Sequence, residues 1–215
     1  PAYGFKNIQG NVSQSDDPTA GQNPQYGAAI NYWLKSAPQT ASIAILDATG
    51  KTVRTLDGTR SSGLNRVYWD LSNEPSKSPR MRTKPMYDPD FRMNADGTRD
   101  APGFGTLSVL MPPGKYTVRL TVDGQSYSQP LTVLKDPNQR ETDADIVAST
   151  NLLKSIQTDM NTAAEILSTS ESARAQILAL GDQIRSQAAN VRPLADSVEQ
   201  KFLAIGSNVV DPRMT

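Results

Sequence analysis

The chain has 215 residues with 22 basic and 22 acidic side chains, so its formal net charge is zero and the basic surplus of a nucleic-acid binder is missing. It contains no cysteine and no histidine, which excludes disulfides, thiolate metal sites, cysteine nucleophiles and any catalytic relay built on imidazole. No apolar run approaches the roughly 20 residues that cross a bilayer as a helix, and the first residues do not have the pattern of a signal peptide.

The start at Pro1 leads us to expect an excised or processed piece of a longer protein. Composition shifts near residue 137: thirteen of the fifteen prolines stand at or before it, together with nearly all the alternating β-branched runs. Residues 1–140 carry 16 basic and 12 acidic side chains, and 141–215 carry 6 and 10. Three segments are therefore expected: a linker over 1–23, a β-sandwich over 24–137 with a long loop at 72–104, and a helical hairpin or bundle over 138–215.

The linker is rich in Gly, Ser, Asp and Asn, with Tyr3 and Phe5 as apolar exceptions that would pin it to a neighbouring surface. Tyr26–Leu34 reads as the first strand, with Ala28, Ile30, Tyr32 and Leu34 on one face and Trp33 on the other. Ser42–Asp47 and Lys51–Leu56 flank a glycine turn and read as a strand pair. Arg66–Leu71 follows, with Val67, Trp69 and Leu71 inward and Trp69 as the central core aromatic. Residues 72–104 have prolines, mixed charge and no period, a length that marks a binding surface or a lid. A short strand is expected at Thr106–Leu110. Next comes the strongest signal in the chain, Pro112-Pro113-Gly114 leading into Lys115–Val122 with Tyr116, Val118, Leu120 and Val122 on one face. Asp123-Gly124 supplies the positive φ of a two-residue hairpin loop, so Tyr127–Leu134 should return antiparallel. About seven short strands separated by turn signals are the pattern of an immunoglobulin-like or fibronectin-like sandwich.

After Asp136-Pro137 the period becomes helical. Thr142 reads as an N-cap with Asp143 and Asp145 in the first turn. Ile146, Leu153, Ile156, Met160, Ala163 and Leu167 form a narrow apolar seam. Ser168-Thr169-Ser170-Glu171 reads as a stop with a capping box. A second helix would carry Ala173, Ile177, Leu180, Ile184 and Val191, and Pro193 would open a third, short one. Three such segments can satisfy one another, so a monomeric, intramolecular bundle is expected.

For chemistry, Asp88, Asp90, Asp96 and Asp100 lie close together in the long loop, but solvated acids beside prolines do not define the carboxylate pair a glycosidase needs. Asn94-Ala95-Asp96-Gly97-Thr98 lacks the full ligand set of a calcium loop. No catalytic residue, no metal ligand set and no cofactor is assigned. Trp33 has two competing roles, a sugar-stacking platform with Tyr87 or Phe91, or packing beneath the linker or the helical module, and packing is the expected one.

Most of the chain also carries words of a known arrangement. They are Pro1-Ala2-Tyr3, Asn23-Pro24 with Tyr26-Gly27-Ala28, Tyr32-Trp33-Leu34, Ile45-Leu46-Asp47 with Gly50-Lys51, Gly63-Leu64-Asn65-Arg66 with Trp69-Asp70-Leu71, and Pro113 to Leu120 followed by Asp123-Gly124. Over residues 23–137 this resembles the C-terminal part of bacterial secreted proteins whose N-terminal part is a sortilin-like propeller of neuraminidase-type repeats. The GLNR…WDL and PGKYTVRL words are also similar to the immunoglobulin-like domain of flagellar hook-capping proteins. The resemblance implies a secreted or periplasmic setting and a non-catalytic accessory module with the propeller as partner. A carbohydrate-binding module and a hydrolase are the alternatives. On this reading the linker and the long loop meet the propeller, with Tyr3, Phe5, Tyr87 and Phe91 as apolar anchors.

Overall fold

The computed structural model describes residues 2–4, 25–85, 88–184 and 192–207. They form a mainly β structure with α: a mixed five-stranded sheet, two two-stranded sheets and two helices. The chain divides into two compact units, one of residues 1–74 with 108–154 and one of residues 75–107 with 155–215.

In the first unit, β1 (Ala2–Gly4), β9 (Gln125–Lys135), β8 (Gly114–Val122), β3 (Ala41–Leu46) and β4 (Thr52–Asp57) lie side by side in that order. Only the β1–β9 pair is parallel. The hairpin between β8 and β9 turns on Asp123 and Gly124, both at positive φ, which matches the right-handed twist of the flanking strands. Pro130 sits in the β9 ladder opposite Thr117. Among the described residues β1 pairs with Val133, Leu134 and Lys135, and no ladder reaches the outer side of β9 at Pro130, the edge position at which proline is tolerated.

The second sheet of this unit pairs β2 (Ala28–Leu34) with β5 (Gly63–Trp69). Gly27 leads into it at a φ of 115°, and a Cβ there would meet the Trp69 carbonyl oxygen at 2.2 Å, so only glycine fits. The alternation read from the sequence holds. Trp69, Ile43, Ile45, Tyr116, Val118 and Val133 belong to one apolar cluster fed by both sheets. Trp69 is fully buried, its indole N–H donates to the Ser72 carbonyl at 2.8 Å, and the Tyr116 ring meets it edge-on at 5.3 Å.

Thr106–Leu110 does not form a strand. Its single bridge is Leu110 to Ser72, because Leu71 is held at a φ of 62° and turns the chain out of the β5 ladder while remaining buried. The Asn73 side chain then accepts from the Val109 amide at 2.7 Å, where a strand would have offered a carbonyl.

In the second unit the long segment is not featureless. It contains β6 (Arg80–Met81) paired with β7 (Arg99–Asp100), and residues 75–107 cluster with the helical part of the chain. Helix α1 (Asp143–Ile184) begins in the first unit and is followed by α2 (Arg192–Ser207). Its start is a reciprocal cap: the Asp145 amide donates to Thr142 Oγ1, and the Thr142 amide donates to the Asp145 carboxylate.

Two helical expectations are corrected. The stop at residues 168–171 is absent, and α1 continues through it for 42 residues. Ser168 and Ser172 donate to the carbonyls of Ala164 and Ser168, four residues back, so their hydroxyls follow the helix instead of capping a new one. The buried line of α1 also differs from the predicted seam. Thr150, Gln157, Ala164 and Glu171, seven residues apart, are buried, whereas Ile156 is exposed. Leu153, Met160 and Leu167 remain on the covered side, half-buried or buried. The expected seam residue Val191 lies outside the described residues.

Candidate interaction surfaces

Side chains of α1 take up the backbone polar groups of segment 75–107. The Lys77 amide donates to Asn161 Oδ1 at 2.7 Å, the Arg80 amide to Ser168 Oγ at 3.3 Å, and the Leu107 carbonyl accepts from Gln157 Nε2 at 2.6 Å. At the centre, the Glu171 carboxylate accepts from the amides of Arg82 and Thr83 at 3.1 and 3.2 Å and from the Thr83 hydroxyl at 2.8 Å. Arg174 donates to Thr83 Oγ1 at 2.7 Å and to Glu171 Oε1 at 3.3 Å, and reaches Glu199 of α2 at 3.6 Å. The Arg99 Nε–H donates to the Thr83 carbonyl at 2.8 Å. Thr83, Arg99, Glu171 and Arg174 are all buried. Burial weakens the Arg99 proton affinity, with the neighbouring Arg174 charge pushing the same way and Glu171 opposing. Leu167, Met81 and Ala101 pack beside this network, with Phe104 against them.

This arrangement is a scaffold. Its carboxylate is saturated by donors, a poor state for a general base. The loop acids are no better placed. Asp96 accepts from the hydroxyl and amide of its neighbour Thr98, and the hydroxyl bond holds its carboxyl below the usual range. Asp100 pairs with Arg80 at 3.3 Å, and Asp88 and Asp90 are exposed. No group of three metal-ligating side chains occurs among the described residues. A cavity of about 330 Å³ lies beside the Lys77–Glu165 ion pair, lined also by Ser78, Ala164, Ser168 and Thr169. Of its three hydroxyls, that of Ser168 already donates to the Ala164 carbonyl.

The five singled-out aromatics have separate fates. Trp33 is 66% exposed on the outer face of β2, and Tyr3 is exposed on β1 between buried Ala2 and Gly4. The linker beneath which Trp33 was expected to pack lies, from residue 5 to residue 24, outside the described residues. Phe91 lies in the other unit, partly exposed, with the Arg99 guanidinium 5.9 Å from its ring centre. Phe5 and Tyr87 lie outside the described residues.

Sequence reasoning missed Leu64, which is 71% exposed and stands directly across from Trp33 in the β2–β5 register. The parity that turned Val67 and Trp69 inward also turns Leu64, Arg66 and Tyr68 outward, so the signal was present. It also missed Glu171 as a buried anchor, because an acid after Thr-Ser looks like a cap when its distant partners are not known.

Fold and surfaces together describe a β-rich chain with two helices, and among the described residues no helix is long and apolar enough to cross a membrane. No family model, no curated protein and no solved structure matches it.

Proposed function

We propose that the chain is a non-catalytic structural and interaction module, an immunoglobulin-like β-sandwich followed by a helical bundle. It serves as the C-terminal accessory of a secreted or periplasmic protein with a sortilin-like propeller. The observation that carries this reading is the set of large aliphatic side chains that α1 leaves exposed. Ile156, Ile166 and Leu180 are 42%, 50% and 55% exposed, ten and fourteen residues apart along the helix. Segment 75–107 supplies hydrogen-bond partners to other positions of the helix, and these side chains stay exposed. Several large aliphatic side chains left exposed along one long helix suit a surface made for a partner.

The test is to produce the propeller region encoded upstream of this chain and measure its binding to the 215-residue chain by calorimetry. Binding that weakens at least tenfold in Ile166→Glu, with an unchanged melting temperature, is the expected result. Absence of propeller repeats upstream, or no heat of binding, contradicts the proposal.

A further inference from the structure

A half-exposed two-stranded sheet normally turns polar side chains to water, and β2–β5 does this only in its middle. The register sets three outward rungs: Trp33 opposite Leu64, Asn31 opposite Arg66, and Ala29 opposite Tyr68. Trp33, Leu64, Asn31, Arg66 and Ala29 are exposed, and Tyr68 is half-buried. In the middle rung the Arg66 Nε–H donates to Asn31 Oδ1 at 2.7 Å, which fixes the guanidinium across the two strands. The ion pairs among the described residues do not include Arg66. Its terminal nitrogens and the Asn31 amide nitrogen are donors on the same face as the indole.

We propose that this face binds an extended, neutral polysaccharide of β-linked pyranoses. Trp33, backed by Leu64, is the stacking platform, Arg66 and Asn31 hold ring hydroxyls, and Tyr68 is the far contact. Each ring of such a chain presents a flat C–H face and a hydroxyl edge, and the sheet presents an indole to stack on the first beside a donor rung and a phenol for the second. Rungs two residues apart repeat at about 6.8 Å, so the outer two stand about 14 Å apart. Strands about 4.8 Å apart make the face roughly one sugar ring wide. A stable protein partner needs about 800 Å² on each side, and three rungs of two side chains supply on the order of 200 Å². A linear ligand one ring wide suits that area, and the indole gives it its apolar contact. The inference rests on the first unit alone and does not depend on the propeller.

Affinity electrophoresis of the full 215-residue chain tests it in gels cast with barley β-glucan, with xylan and with polygalacturonate as the anionic control. The expected result is retardation by a neutral polymer, abolished in Trp33→Ala and reduced at least threefold in Arg66→Ala and in Tyr68→Ala. Trp33→Ala should melt with the wild type, and Trp33→Phe should retain part of the retardation. Because Trp69 is buried, indole emission shifting on titration with β-glucan oligosaccharides reports Trp33 directly. No retardation by either neutral polymer overturns the proposal. So does equal retardation of wild type and Trp33→Ala, and retardation by polygalacturonate alone replaces a neutral ligand with simple charge attraction.

Discussion

In the unit built on β8 and β9 the largest fully buried side chains are Trp69, Ile43, Ile45, Leu71, Val109 and Val133, whereas the unit built on α1 buries Thr83, Arg99, Glu171 and Arg174 beside Pro79, Met81 and Leu167. The first core holds by exclusion of apolar surface from water, which is non-directional and needs only the right volume and parity. The second joins a small apolar cluster to directed bonds from a helix to a segment with little regular structure of its own, and each bond has one geometry. Removing a methylene from the first leaves a void; removing an oxygen from the second strands a charge.

Trp69→Ala is expected to have the largest effect, about 3–5 kcal/mol, since it deletes a fully buried aromatic and its N–H bond to Ser72. Urea unfolding followed by circular dichroism measures it. Glu171→Ala should follow at about 3 kcal/mol, because Arg174 and the amides of Arg82 and Thr83 lose their shared acceptor. Glu171→Gln, which keeps the oxygen acceptor, should cost distinctly less. Equal losses in the two variants would show that the charge, and not the acceptor geometry, holds the segment.

The Tyr116 phenol separates the two regions by pH. Burial pushes it up to about 12, helped by the Asp47 charge, while in the unfolded chain it titrates near 10. Its stabilising contribution is therefore complete below pH 10 and is lost as pH rises from 10 to 12. The difference in melting temperature between wild type and Tyr116→Phe should shrink over that window. At neutral pH the same change should cost about 1 kcal/mol, the value of the hydroxyl bond to the Pro112 carbonyl. Thr142→Ala at the start of α1 should cost about 1 kcal/mol. Arg119→Ala, exposed on β8, should stay within about 0.5 kcal/mol.

The difference between the units also explains what could be read in advance. Period-two alternation located β2, β3, β4, β5, β8 and β9 and the inward residues Trp69 and Tyr116, because apolar burial leaves a pattern in a single strand. The α1 line Thr150, Gln157, Ala164, Glu171 leaves no such pattern: three of its four members are polar, and their burial depends on acceptors and donors in residues far away in sequence. For the same reason Ile156 looked like a core residue and is exposed. The Ser168–Glu171 run looked like a stop because serine hydroxyls satisfy a helix interior as readily as a cap. On the β2–β5 face Trp33 was legible by parity, but its partners were sought in the long loop, when Leu64, Arg66 and Tyr68 lay on the adjacent strand.

The central claim is that α1 orders segment 75–107 within this chain through Glu171. Amide hydrogen exchange on the isolated 215-residue protein tests it most directly. Arg82 and Thr83 amides should exchange slowly in the wild type and lose that protection in Glu171→Ala, while β8 amides stay unchanged. Fast exchange of Arg82 and Thr83 in the wild type, or protection that survives Glu171→Ala, would contradict it.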